Sequence, residues 1–205
     1  MAVDRRSERH LRWAPALWGV ALLALAACAG TTGSNNPTVT FTHLQPLRFN
    51  ATEVQFVDNY RPPLAPPNVE HQFQQTPAAA VRDWARSRIA AAGQAGTVRV
   101  TVVEASVVEV RLTTRKGIGG LFYNEQDTRY DGTVEVTIDF VPRAGVNMPT
   151  SQARARAVRT QTMPESSTVN QRSTVYVIVL RGLMEDIDAQ LVAAMRQYMA
   201  AAIVP

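Results

Sequence analysis

The chain predicts an α+β fold, a mainly antiparallel sheet of about four to six strands packed against a short helix and a long C-terminal helix. Three observations predict it. Valines alternate with polar residues through 97–112 and again through 133–141, the period of a strand with one buried face. Thr76-Pro77 opens a segment with apolar residues at three-and-four spacing, the signature of a capped amphipathic helix. The same spacing governs Leu180, Leu183, Met184, Ile187, Leu191, Met195 and Tyr198 near the end of the chain, which predicts the long helix.

Taken in order, Val39 to Val57 reads as two short strands, with Val39, Phe41, Val54 and Phe56 at alternate positions and Pro46 interrupting. Arg61-Pro-Pro-Leu-Ala-Pro-Pro67 is too rich in proline for helix or central strand and predicts an extended surface segment. Thr76 caps the next helix, Pro77 occupies its first position, and Gly93 is placed to end it. Val81, Trp84, Ala85 and Ile89 share the face expected to pack on the sheet, with Trp84 as core, while Arg82 and Arg86 face water.

In the strand over 97–112, Val98, Val100 and Val102 point one way and Arg99, Thr101 and Val103 the other. Val108, Val110 and Leu112 resume the pattern after an irregularity at Ala105-Ser106. Val134, Val136, Ile138 and Phe140 form the buried set of the second strand, which Pro142 stops, so the two strands predict an antiparallel pair. Residues 152–159 repeat with period two but carry small alanines on one side, which suits an edge strand or one lying beneath a helix. Residues 174–180 are β-branched and could extend a strand, but the helical residues that follow favour helix throughout. The stripe of that helix closes the core, opposite Glu185, Asp188 and Arg196.

Ahead of these elements, Arg5, Arg6, Arg9 and Arg12 precede an apolar run of 14 residues, Ala14 to Ala27. A charged start, an apolar centre and a small-residue exit form a secretory signal. The run is short of the roughly 20 residues that cross a bilayer as a helix. Removal of residues 1–27 leaves 178 residues with 17 bases and 15 acids. A net charge of +2 argues against nucleic acid as a partner. The next small, polar residues, 29–38, read as a tether with a reach of roughly 15–20 Å.

Leu25-Ala-Ala-Cys28 resembles the lipobox of bacterial lipoproteins, and Cys28 is the chain's single cysteine. That resemblance implies cleavage before Cys28, a diacylglycerol on its sulfur and a fatty acyl group such as palmitate on the new amine. Anchoring by several acyl chains is firm, at roughly 0.8 kcal/mol per buried methylene. Ala29, by resemblance to the sorting rule of enteric lipoproteins, favours the outer membrane, with the domain facing the periplasm. The expected organisation is a signal peptide over 1–27, lipidated cysteine and tether over 28–38, and a single α+β periplasmic domain over 39–205.

With the lipobox, the early strand, the Thr76-Pro77 helix, the valine-rich strand and the Val169-Asn-Gln-Arg172 lead into the last helix, the mature chain is similar to YajG-like envelope lipoproteins. It also resembles auxiliary lipoproteins of ABC-type lipid transporters. The resemblance implies an envelope role without catalysis and supplies only Cys28 as a residue to carry over.

The side chains themselves carry little chemistry. His43 and His71 stand in separate loops without a helical i, i+4 pair, which disfavours a metal site. No Gly-x-Ser-x-Gly elbow appears. Glu125, Asp127 and Asp131 could mimic glycosidase acids but read better as a solvated hairpin. No cofactor or metal is therefore expected, and the protein is not expected to be an enzyme.

The loop Arg115-Lys-Gly-Ile-Gly-Gly-Leu-Phe-Tyr-Asn124 combines glycines with apolar bulk. It lacks the Gly-Lys-Ser/Thr ending of a phosphate loop. Arg115, Lys116, Ile118, Leu121, Phe122 and Tyr123 are thus candidates for contact with a partner or a membrane, unless Leu121 and Phe122 fold back on the sheet. Two functions follow: a tethered, non-catalytic adaptor or accessory subunit with an envelope protein partner, or a carrier of lipid or another apolar ligand between sheet and last helix. The carrier would need a cavity lined by Met184, Ile187, Leu191 and Met195.

Overall fold

The computed structural model describes residues 38–113 and 126–205. Its strands are β1 (Leu47–Phe49), β2 (Glu53–Asp58), β3 (Ile89–Ala91), β4 (Gly96–Arg111), β5 (Gln126–Pro142), β6 (Ser151–Pro164) and β7 (Ile203–Val204). Helix α1 spans Pro77–Arg88 and α2 spans Val169–Tyr198. The fold is α+β. Four strands form one sheet in the order β2-β4-β5-β6, antiparallel except for the parallel pair β2–β4. A smaller sheet, β3-β1-β7, holds β1 between a parallel and an antiparallel neighbour.

The valine periodicity sets the large sheet. Val98, Val100 and Val102 stand opposite Phe140, Ile138 and Val136, which stand in turn opposite the β6 alanines 153 and 155 at the last two positions. All are buried, since one pleat face of each strand lies beneath the helices. Alanine is the residue that lets α2 come down close upon β6, the strand against which it chiefly packs. Gly132 does the same on β5: a Cβ there would stand 2.8 Å from Leu183 Cδ1. Thus β6 is both an edge strand and covered on one face by a helix.

The irregularity in β4 lies between Val102 and Glu104 rather than at Ala105-Ser106. The extra residue reverses the inward set. Ala105 and Val107 are buried beyond it, whereas Val108 and Val110 lie on the other face and are half-buried.

Thr76 caps α1 as expected, its side chain accepting from the Ala79 amide at 3.2 Å, with Pro77 at the first position. Val81, Trp84 and Ala85 are buried, and Arg82 and Arg86 are exposed. The helix stops before Gly93, because Ile89–Ala91 leave it to pair with β1. Gly93 has a different use. Its backbone passes so close to Asn50 that a Cβ would fall 2.0 Å from Asn50 Oδ1. The same oxygen accepts from the amides of Gln94 and Ala95 at 3.0 and 3.2 Å, which fixes the turn into β4.

Residues 174–180 are helical, as read. The helix starts at Val169, where Thr168 and Gln171 form a reciprocal capping box. Leu180, Leu183, Met184, Ile187, Leu191 and Met195 are buried. Tyr198 does not belong to that stripe. It is exposed, and Met199, four residues after Met195, takes the buried place. Val39 and Phe41 lie before the first strand rather than in one, although Phe41 joins the core. The proline-rich segment 61–67 runs exposed over the surface. Among the described residues no helix is long and apolar enough to cross a membrane.

Candidate functional site

Cys28, Arg115, Lys116, Ile118, Leu121, Phe122, Tyr123 and Glu125 lie outside the described residues. Among the described residues, polar side chains converge in four places, and most of their atoms are committed to holding the fold.

Glu70, in a short 3-10 turn at Glu70–Gln72, is almost fully buried. Its carboxylate accepts from the Tyr60 hydroxyl at 2.8 Å, the Val107 amide at 3.1 Å and Asn68 Nδ2 at 3.3 Å. Segment 67–69 meanwhile runs along β4, where the Val69 amide donates to the Val107 carbonyl and the Glu109 amide to the Pro67 carbonyl. Glu70 therefore fastens this segment to β4 just beyond the bulge. Burial, together with the bond to Glu70, raises the Tyr60 hydroxyl pKa well above its ordinary value.

A second cluster joins the helices. Asp188 accepts from Trp84 and Arg88 of α1, and Arg88 also donates to the Gln45 carbonyl at 2.7 Å. Asp188 was expected on the water-facing side of α2. It instead turns to α1, because an indole N–H and a guanidinium buried there need an acceptor. Next to it, a cleft of about 320 Å³ opens between residues 38–44 and α2, with His43, Arg181 and Glu185 at its walls.

The third cluster is aromatic. Phe73 stacks on Tyr176 with ring centroids 4.2 Å apart, and Tyr130 meets Tyr176 edge-on at 5.2 Å. The Tyr176 hydroxyl donates to Gln72 Oε1 at 3.3 Å. The buried Tyr130 hydroxyl has no hydrogen-bond partner among the described residues. Burial raises the pKa of both phenols.

The fourth cluster lies on the face of the large sheet turned away from the helices. Arg154 of β6 bonds Glu135 of β5, and Arg156 reaches Glu135 at 3.8 Å and Glu104 of β4 at 3.5 Å. On the helix side of β6, Arg159 donates to Asp186 of α2 at 2.6 Å. The arginine side chains are 64%, 57% and 48% exposed, and their acids Glu135, Glu104 and Asp186 only 9%, 34% and 32%. The cations are outermost. Val158, 57% exposed, stands among them, with Val103 and Val141 exposed farther along the same face.

The acids read against a glycosidase are also committed. Asp131 accepts from Arg129 on one oxygen at 2.8 Å and from the Thr160 hydroxyl on the other at 2.8 Å. Asp127 accepts from Thr128 at 2.8 Å. His43 and His71 are both exposed and belong to different segments. Among the described residues no group of three or more His, Cys, Asp or Glu side chains could hold a metal ion. The β6 arginine row was visible in sequence only as a small-residue period. That it bridges three strands depends on a register that sequence spacing does not encode.

No protein-family model matches the chain, and no curated protein matches it. Several solved structures are similar to it at low identity. A Xanthomonas campestris protein of the DUF330 family is 14% identical over 78% of this chain and 94% of its own, with a TM-score of 0.31. A minor lipoprotein from Acinetobacter baumannii is 16% identical over 78% of this chain and 99% of its own, with a TM-score of 0.33. The rare lipoprotein B from Shewanella oneidensis is 10% identical over 69% of this chain and 97% of its own, with a TM-score of 0.31.

Proposed function

We propose that the protein is a lipid-anchored envelope lipoprotein that acts as a non-catalytic adaptor or accessory subunit of a cell-envelope complex. Residues 1–27 direct export, Cys28 carries the lipid, residues 29–38 form the tether, and residues 39–205 are a single periplasmic domain at the outer membrane. The anchor reading rests on the lipobox-like sequence and on Cys28 being the sole cysteine.

One observation carries the adaptor reading over the carrier reading. The side chains that a carrier needs around its ligand are closed off: Ile187, Leu191 and Met195 are 0% exposed and belong to the same buried cluster as the sheet valines. The opposite sheet face and the β6 edge meanwhile offer an exposed, charged surface with interspersed valines. A packed interior with a decorated outside is the arrangement of a protein that binds other macromolecules rather than cargo. The loop residues Arg115, Lys116, Ile118, Leu121, Phe122 and Tyr123 supply a second contact, toward a partner or anionic headgroups.

The test is a native pull-down of the membrane-extracted full-length protein, with mass spectrometry of co-purifying proteins and retained lipids, repeated on Cys28→Ser. The expected result is a defined complex, no stoichiometric lipid, and release of the Cys28→Ser protein from the membrane fraction. Lipid bound one-to-one by the Cys28→Ser protein would replace the adaptor with a carrier.

A further inference from the structure

We infer that the free edge of β6 is the docking site for an extended, acidic strand of a partner protein. The inference rests on the adaptor reading and names its surface. In the order β2-β4-β5-β6, β6 is outermost. Its pairing with β5 runs without interruption from Thr128↔Met163 to Phe140↔Ser151, so every second residue of β6 turns its backbone N–H and C=O outward. Such a row is a template for one more strand. The usual protections of an edge are missing over most of its length. Its proline, Pro164, stands at the very end, and the register shift of this pair lies at that same end, between Gln126 and Thr128.

An added strand has room for both of its side-chain sets. On the face away from the helices one set would lie beside Arg154, Arg156 and Val158. On the helix side the other set would enter a cleft of about 350 Å³ between residues 159–161 and α2. That cleft is walled by Arg159, Arg181 and the half-exposed Ile178, and Gly182 adds no side chain to fill it.

Charge chooses the occupant. Arginines flank the edge on both faces, each paired one standing farther into solvent than its acid, and Arg181 has no ion pair among the described residues. A strand with carboxylates at alternate positions meets these cations, whereas a second copy of β6 does not. Antiparallel self-pairing centred on Arg156 sets that residue against itself, and centring on Ala155 sets Arg154 against Arg156. Like charges directly opposed across strands are destabilising.

The experiment uses the full-length protein and three ten-residue peptides in which valine alternates with glutamate, glutamine or lysine. Hydrogen–deuterium exchange is followed at residues 151–163. The glutamate peptide is expected to slow exchange at alternate amides of β6, to bind at least tenfold tighter than the glutamine peptide, and to lose that preference in 1 M salt. Arg181→Glu, at an exposed position, should weaken the glutamate peptide several-fold while leaving the melting temperature unchanged. Equal binding of all three peptides, protection elsewhere, or protection of β6 that rises with protein concentration in the absence of peptide would each overturn the inference. The pull-down stands apart from this assay. A recovered complex with an inert β6 edge would sink the edge alone, and lipid-loaded protein with peptide-protected β6 would sink the adaptor alone.

Discussion

Asp188 Oδ1 accepts two hydrogen bonds from α1, one from Trp84 Nε1 at 2.7 Å and one from Arg88 Nε at 2.8 Å, while its other oxygen takes Arg88 NH2 at 2.6 Å. One carboxylate thus clamps two helices about a hundred residues apart in the chain. The arginine and aspartate side chains are only 14% and 20% exposed. Removing one partner therefore leaves a largely desolvated charge behind. Asp188→Ala should cost about 3 kcal/mol in urea unfolding. Trp84→Phe, which keeps the ion pair and loses one bond, should cost about half as much.

Gly93 is expected to be intolerant of any side chain. A Cβ would stand 2.7 Å from Asn50 Cα as well as against its side chain, so relief requires backbone movement in the turn that feeds β4. Gly93→Ala should lower stability by at least about 2 kcal/mol. A variant melting within a degree of wild type would show that the turn yields.

Tyr130→Phe should be neutral or stabilising. The change keeps the edge-on contact with Tyr176 and deletes a buried hydroxyl without a partner among the described residues. A buried unsatisfied hydroxyl costs about 1–3 kcal/mol. A rise in melting temperature of a few degrees is the expected reading, and a clear fall would mean that the hydroxyl is bonded in solution.

Alkaline pH should unfold the protein. Tyr130 and Tyr176 are buried, and burial raises their pKa in the folded state. In the unfolded chain they ionise near about 10. The folded state then holds more protons than the unfolded one above that pH, so stability is fully present below it and falls as pH rises. Each phenol should contribute a slope of about 1 kcal/mol per pH unit. Urea midpoints from pH 8 to 11 test this, with tyrosinate absorbance expected to appear together with unfolding.

Much of the large sheet was legible because a strand with one buried face writes its period into the sequence. Val98 to Val102 and Val134 to Phe140 were read to the residue, and Thr76-Pro77 marked a helix start by local chemistry alone. What escaped was nonlocal. The two- and three-residue strands of the small sheet are too short to show a period, and β7 is hidden behind a helix whose pattern runs into it. Asp188 looks like any surface acid until Trp84 and Arg88 are brought beside it. The bulge after Val102 inserts one residue, and that reversed the reading of Val108 and Val110. For the site, Cys28 and the 115–123 residues were legible as motifs. The β6 arginines became a row only through their register with Glu135 and Glu104.

The central strand of the small sheet has a consequence for the order in which the molecule can form. Residues 47–49 need residues 89–91 on one side and residues 203–204 on the other. A chain emerging from its first residue onward presents Leu47 to Phe49 early, yet that segment waits more than 150 residues for its second neighbour. Closing so long a loop is slow. Until then Phe49, one of the largest fully enclosed side chains, has only one flank secured. The last-made residues act as a latch on the first-made strand, so the polypeptide stays short of its final form until its end has been delivered.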